Sequence, residues 1–507
     1  MNVPEFAVPA ARATVAVKIG APEQEALSGP NRLNVTVPVG VLPVTVTVSL
    51  SAVPTVPPAE ATVAMVGVVC VIVDDSLGAV IRRLALPAVA SNVLMTVFAS
   101  VDAFWVGTRI GARGLAAVST AVFWIWMVIS VAEMVSVGLT AVAARRHGER
   151  RSDQAARIVG EALVFAIALG LSVGVAGALS VDYLFALMRT PPEVTALGRN
   201  YLRVYFLGAP LIYGYFAIDA AFRAAGDTRT PFTLLLVSTA CTLVLDPVLI
   251  LGLAGAPRLG IVGAAIALVL TRGGAFIAGL ALLSRRGLMR AGRVTWPTVR
   301  SVARIGLPTA LTGVMFSLIY VALTRTTTRF GTPALAALGI GHRVESWLYT
   351  IGVGFGAAAA AIVGQNLGAR KIDRAERAGW VTLGYATAPA LVAAAAALII
   401  PDTLAALFTS ETAVITVAAH YLRIGALADL TVCAEVVLEG ALGGAGHTVP
   451  PMFTSTALTA LRIPLAWWAA NRWGVDGIWW VISLTAAARG IAMIILWRRG
   501  GWKRKSV

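Results

Sequence analysis

Two aspartates lie inside long apolar runs, and they are the residues best suited to chemistry there. Asp102 lies in MTVFASVDAFWVG and Asp246 lies in CTLVLDPVLI, where Pro247 follows directly. Burial disfavours the charged form of a carboxyl group, so such an acid can take up a proton near neutral pH. Two interpretations stay open. Either the pair shares a proton or faces a cation, or each acid only hydrogen-bonds to neighbouring backbone and hydroxyl groups.

Other charged residues within apolar runs are weaker candidates. Glu435 and Glu439 are one turn apart and share a helix face. Arg272 and Arg462 could neutralise carboxylates. Five further charged or titratable residues lie in these runs: Glu133, Asp219, His342, Arg343 and Glu345. We interpret all nine residues as members of structural pairs rather than as transport residues.

The sequence offers little for catalysis or metal binding. Cys70, Cys241 and Cys433 have no C-x-x-C spacing, and the four histidines are scattered. The glycine-rich stretch 363–370 lacks the spacing of a phosphate-binding loop. We therefore predict that the chain is not an enzyme, has no catalytic residue, and binds neither a metal nor a cofactor.

The composition indicates a membrane protein. Hydrophobic residues make up 58% of the 507, only 13% are charged, and the mean hydropathy is +0.81. The apolar runs predict an all-α integral membrane fold with twelve spans. They lie near 84–107, 115–143, 157–181, 197–222, 230–253 and 259–284, and then near 303–325, 333–361, 377–400, 413–442, 449–471 and 474–497.

The two series of six spans are copies of one pattern. Gly148 matches Gly368 and Asp153 matches Asp373, an offset of 220 residues that also carries AGDTRTPF onto AGHTVPPM. Six spans per copy give both copies the same orientation, so we predict two pseudo-symmetric six-helix bundles as parallel repeats.

The net charge of +16 is explained by basic loops between the spans. If both termini are cytoplasmic, the cytoplasmic loops carry most of the Lys and Arg, as the positive-inside rule requires. We therefore predict a multi-pass protein of the plasma (inner) membrane with both termini inside. The predicted partner is the bilayer and not nucleic acid, and the protein is predicted to be a monomer.

The predicted organisation has five parts. Residues 1–75 are rich in Val and Pro and unlike the rest, so they are disordered, a β-prone tail, or not native sequence upstream of a start at Met65. The first lobe covers 76–284, a basic connection 285–302, the second lobe 303–497, and a basic tail 498–507.

Several motifs occur together in a family-specific order. LALPAVASNVLMTVFASVDAFWVG, RAAGDTRTPF, LDPVLI, GHRVESW and VGQNLGARKIDRAERA resemble the multidrug and toxic compound extrusion (MATE) transporters from about residue 84 to 497. The resemblance implies two lobes around a central cavity. It also implies that the partners are small drug-like molecules, organic and often cationic, which are exported by alternating access in exchange for protons or, as the less favoured choice, sodium.

The same resemblance implies residue roles. Asp102 and Asp246 stand where the family has first-lobe aspartates implicated in ion binding. Thr242 stands where some members have an Asn, so it keeps an oxygen and loses the amide. Span 7 lacks the glutamate of some sodium-coupled members, which favours protons and a first-lobe ion site.

One alternative belongs to the same superfamily. A lipid-linked oligosaccharide flippase would share the twelve-helix plan but needs a strongly basic cavity for a diphosphate headgroup. Few arginines lie in the middle of the predicted spans, which disfavours this alternative.

Overall fold

The structure, a computed structural model, describes residues 73–109, 112–187 and 192–505, together with four short strands nearer the N-terminus. The side chains of 98–116, Asp102 among them, lie outside the described residues.

The chain divides into two units, Met1–Val68 and Val69–Val507. In the first, β1 (Phe6–Val8), β2 (Ala13–Val17), β3 (Asn31–Pro38) and β4 (Thr45–Ala52) form an antiparallel meander in the order β1-β2-β3-β4. The predicted nature of residues 1–75 stays a prediction.

The second unit is helical and follows the predicted spans. Its first half contains α1 (Leu77–Arg109), α2 (Ala112–Gly148), α3 (Ser152–Leu187), α4 (Pro192–Leu207), α5 (Ala209–Ala224), α6 (Arg229–Leu251) and α7 (Ile261–Arg285). Its second half contains α8 (Trp296–Thr327), α9 (Gly331–Gly368), α10 (Ile372–Ile399), α11 (Pro401–Ala406), α12 (Thr412–Gly444), α13 (Val449–Ala460) and α14 (Arg462–Arg499).

One predicted span is broken rather than continuous. Span 4 consists of α4 and α5, which meet at an angle of 49°. Pro210, at the start of α5, cannot donate a backbone hydrogen bond, and a bend results. In α14, Gly474 has φ 64° and ψ −147°, a backbone conformation that residues with a side chain rarely adopt. This break coincides with the predicted boundary between span 11 and span 12.

Nine helices of the described residues are long and apolar enough to cross a membrane, or ten if α4 and α5 form one span. Val449–Arg499 is one of the nine and contains both span 11 and span 12. Span 10, α12, is not among them. It carries Arg423, Asp429, Glu435 and Glu439. Its charged residues thus set it apart from the other spans.

The backbone repeats with the sequence. Arg150 and Arg370, at matching positions after α2 and α9, have φ 59° and 58°, the only positive values for non-glycine residues in the described part of the chain. An ion pair repeats as well, because Arg203 lies 2.9 Å from Asp182 and Arg423 lies 2.8 Å from Asp402. The first of these ion pairs links α3 to α4, and the second links α11 to α12. Both lobes are therefore built on the same local contacts.

Candidate functional site

The two lobes meet along glycines on α2 and α8. A Cβ added to Gly138 of α2 would overlap the carbonyl oxygen of Val302 on α8, and one added to Gly306 of α8 would overlap the carbonyl oxygen of Met134. Small residues let two helix backbones approach each other closely. These contacts lie in the half of each helix nearest to the basic loops.

A second line of contacts joins α1 to α9. A Cβ on Gly354 would lie 2.6 Å from backbone atoms of Val89. At the helix ends, Gly148 packs on the backbone of Gln365 and Gly368 packs on the backbone of Arg145. The lobes are therefore closed against each other on the side of the basic loops.

Further from the basic loops, the exposure of Tyr349 indicates a space between the lobes. Tyr349 of α9 is 53% exposed, although Glu133 of the first lobe and Glu439 of the second both lie within electrostatic range of it. A residue between two lobes that remains half exposed must border a gap between them. Tyr349 therefore lies beside a central cleft.

Three carboxylates lie at the floor of this cleft. Glu133 is next to Met134, which contacts the other lobe, and Glu439 is next to Gly440, which packs on the backbone of Gly356. Glu435 and Glu133 both lie within electrostatic range of Glu439. Glu435 is buried and lies 3.2 Å from Nη1 of Arg489. We refer to these three acids as the floor acids; they come from both lobes.

On the first-lobe side, Glu133 adjoins an ion pair. Arg223 lies 2.7 Å from Asp219 one turn earlier on α5, and it donates a 2.8 Å hydrogen bond to Ser136 of α2. Arg223 is also within electrostatic range of Glu133. Asp219 is thus paired with Arg223, and the hydrogen bond from Arg223 to Ser136 links α5 to α2.

Asp246 lies away from the floor acids, inside the first lobe. It is fully buried on α6, one turn after Thr242. The hydroxyls of Thr242 and Thr271, on α6 and α7, are 2.7 Å apart, and Thr242 also donates to the carbonyl of Ser238. The structure therefore places Asp246 and Thr242 on one helix near a hydroxyl-rich contact, and their role in ion binding stays a prediction.

The second lobe contains an acid pair that the sequence analysis missed in part. Glu345 of α9 lies within electrostatic range of Asp429 on α12, and both line a cavity of about 20 Å³, large enough for one water. His342 Nδ1 is 3.5 Å from Glu345. Asp429 is not among the residues predicted from the sequence, although it carries the same signal, an acid within an apolar span. Span 7 alone was considered for a second-lobe site, whereas this pair comes from spans 8 and 10.

The remaining predicted charges have separate surroundings. Arg343 is exposed on α9. Arg272 lies over the ring of Tyr215 at 5.4 Å, and Arg462 donates to Thr485 at 2.7 Å and to Tyr320 at 3.2 Å. Within the described part of the chain, no group of three or more His, Cys, Asp or Glu could hold a metal ion.

Comparison with known sequences identifies relatives over most of the chain. The MatE family profile matches residues 87–248 and 308–468. The probable multidrug resistance protein YoeA of Bacillus subtilis is 27% identical over 83% of this chain and 93% of its own length. The probable multidrug resistance protein NorM of Thermotoga maritima is 26% identical over 84% and 93%. An FAD transporter of Shewanella oneidensis is 26% identical over 83% and 95%.

Solved structures share the fold. The MATE transporter VcmN of Vibrio cholerae, in its bent form, superposes with a TM-score of 0.75 at 22% identity, over 83% of this chain and 96% of its own. A MOP superfamily transporter from Pyrococcus furiosus superposes with a TM-score of 0.78 at 21% identity, over 86% and 99%. The predicted twelve-helix, two-bundle fold is confirmed. Because the family profile matches both halves of the chain, this protein belongs to the MatE family of multidrug efflux transporters, which are not enzymes.

Proposed function

We propose that this protein exports organic cations in exchange for protons by alternating access. The observation that carries the proposal is the set of floor acids, because Glu133 of the first lobe and Glu439 of the second are both partly exposed and both lie within electrostatic range of Tyr349. A monovalent organic cation at this point is attracted to both lobes at once. Arg489 pairs with Glu435 and Arg223 pairs with Asp219, whereas Glu133 and Glu439 form no salt bridge within the described part of the chain. A cation or protons would balance the charge of these two carboxylates.

Proton coupling is assigned to Asp102 and Asp246, with Thr242 nearby. Substrate enters while these carboxyls are ionised, and protons from outside then neutralise them. Loss of the charge changes the packing of α1 and favours substrate release. Protons drive this change only through their differential affinity for the two conformations.

The membrane orientation follows from loop charge. The loops after α2, α7 and α9 and the C-terminal tail carry many Lys and Arg, and we assign this side to the cytoplasm. Both termini then lie inside, the protein is a monomer of the plasma membrane, and the cleft faces outward in the conformation described here.

The names of three relatives suggest different cargo. YoeA and NorM are named as multidrug resistance proteins, and another relative is named as an FAD transporter. The acidic floor favours a cation over an anionic dinucleotide, and it argues in the same way against a lipid diphosphate.

The test is transport of the organic cation ethidium in proteoliposomes, driven by an imposed proton gradient or by a sodium gradient at equal pH. We expect only the proton gradient to drive it. The combined variant Asp102→Asn and Asp246→Asn should lose at least about tenfold in proton-driven rate. Asp182→Asn, an exposed acid paired with Arg199 and Arg203, is the control and should transport normally.

Two results would overturn the assignment. Sodium-driven transport without a pH gradient would replace the proton as the coupling ion. Undiminished proton-driven transport by the double variant would remove Asp102 and Asp246 from the coupling site.

A further inference from the structure

A second cavity opens on the basic side, at the pseudo-two-fold axis. It has a volume of about 650 Å³. Its walls are the two repeat-equivalent loops after α2 and α9, 148–151 and 368–371, with Val73 and Asp74 from the segment before α1. The cavity is separate from the floor acids, which lie beyond the lobe contact, and nothing in the transport cycle proposed above uses it.

The lining is strongly basic. Its cations are Arg145, Arg150, Arg151, Arg370 and Lys371, and its acids are Glu149 and Asp74. Glu149 is paired with Arg146 at 2.8 Å and Arg151 at 3.6 Å. The cations thus outnumber the acids.

Two further features of these loops bear on anion binding. The loops lead directly into α3 and α10, and helix N-termini favour anions, although Asp153 and Asp373 in the first turns of these helices offset part of this effect. Arg150 and Arg370 hold a left-handed backbone that Gly or Asn adopts more easily. An arginine at this strained position in both repeats indicates that the side chain itself is used.

An internal carboxylate already responds to this potential. Asp74 accepts a 2.6 Å hydrogen bond from Lys371. This bond, with the charges of Arg150 and Arg374, holds the pKa of Asp74 below its usual range. Asp74 belongs to the segment that leads into the first lobe, while Lys371 belongs to the second, so the ion pair spans the two lobes.

We propose that the basic cavity binds a phosphate-bearing anion between the lobes, either the headgroup of an anionic lipid or a soluble phosphate compound. Arg150 of the first lobe and Arg370 of the second would both hold the phosphate, with Asp74 as an internal competitor. Because its ligands come from both lobes, the anion stabilises the conformation closed on this side. Only this last consequence rests on the proposed function.

The experiment measures binding rather than transport. Full-length protein is placed in nanodiscs of phosphatidylcholine with increasing phosphatidylglycerol, or in phosphatidylcholine with inorganic phosphate against sodium chloride of equal ionic strength. Thermal unfolding reports the apparent affinity. Saturable stabilisation by phosphatidylglycerol alone identifies a lipid headgroup, and saturation with inorganic phosphate identifies a soluble anion.

Variants with opposite expected signs make the test specific. The combined variant Arg150→Asn and Arg370→Asn should weaken binding at least about tenfold, because two charge-assisted contacts are lost. Asn suits the left-handed backbone, so this variant should fold. Asp74→Asn should tighten binding a few-fold by removing the competing carboxylate. The control variant Arg285→Asn and Arg293→Asn removes two exposed charges of the basic side outside the cavity and should bind as the unmodified protein does.

The proposal is overturned if neither probe gives saturable stabilisation, or if the cavity variant and the control variant weaken binding equally. It is also overturned if Asp74→Asn weakens binding, since a purely structural role of Asp74 predicts that direction. Failure of ethidium transport with intact anion binding would count against the transport proposal alone.

Discussion

At the scale of single residues, the floor acids matter because they repel one another. Glu133 and Glu439 are far apart in sequence and come from different lobes, yet both lie within electrostatic range of Tyr349. Arg489 compensates one charge, that of Glu435. The arrangement is therefore most stable with a proton or a cation present, which makes substrate charge the natural variable to test.

We expect Glu439→Gln to weaken binding of a monovalent organic cation about tenfold, equivalent to ~1.4 kcal/mol, through loss of one attractive charge. Binding of an uncharged solute of similar size should not change. Tryptophan fluorescence titration of the purified protein measures both. Glu376→Gln, an acid that pairs with Lys503 at 2.6 Å on the basic side, is the matched control. Equal losses for charged and uncharged ligands would show that Glu439 only supports the cleft's shape.

The sequence identified all three acids and the shared helix face of Glu435 and Glu439, but not their proximity to Glu133. Glu133, Glu435 and Glu439 were recognisable because each is a charge in an apolar span. Their shared position is set by how α2 and α12 approach across the lobe contact, and no local spacing records that. Tyr349 has no sequence signal at all, because its exposure depends on the gap between the lobes.

At the scale of helices, the glycines of α2 and α8 decide how closely the lobes can approach. Gly138 and Gly306 place backbone against backbone, so the contact has no side chain that could adjust its rotamer. Alternating access requires this contact to open and close again without loss of fit. A bulky residue on either glycine should act on the closed state directly.

We expect Gly306→Val to destabilise the closed form by about 1–3 kcal/mol, the usual cost of overpacking, and to slow transport. Gly274→Val is the matched control, because a Cβ at Gly274 meets open space and the same loss of backbone freedom applies. Thermal unfolding in detergent and ethidium transport in proteoliposomes measure the two effects. Equal behaviour of both variants would remove the glycine contact from the closing step.

The predicted spans match the observed helices well because long apolar runs give a strong signal. The bend in span 4 was harder to predict, because the apolar pattern runs without interruption from Leu207 to Ala209. The division of α14 at Gly474, in contrast, coincides with the predicted boundary between spans 11 and 12. The repeated ion pairs of Asp182 with Arg203 and of Asp402 with Arg423 were present in the sequence at the offset of 220 residues. They become recognisable only when the pairing of neighbouring spans is known.

At the scale of the whole molecule, a symmetric scaffold carries acids that do not repeat. The lobe contacts, the loops after α2 and α9 and the ion pairs all follow the repeat. Asp246 lies in the first lobe, whereas Glu345 and Asp429 lie in the second at positions without an acidic counterpart in the first. Such a molecule can move as two similar bodies while each lobe binds a different charge. The movement itself is then the property to test.

A covalent bond across the lobe contact should stop this movement. A Cβ on Gly364 of α9 would lie 2.9 Å from the Cβ of Ala144 on α2. The Cβ–Cβ distance in a disulfide is usually ~3.5–4.5 Å, so a small movement of the two helices apart allows the bond. We expect the variant Ala144→Cys with Gly364→Cys, with Cys70, Cys241 and Cys433 changed to Ala, to lose ethidium transport on oxidation. Reduction should restore it, which excludes misfolding as the cause, and each single cysteine variant should be insensitive to oxidant. Because the bond holds the basic side closed, substrate could still bind from the opposite side but not cross. Full turnover by completely cross-linked protein would show that transport does not require the lobes to separate here.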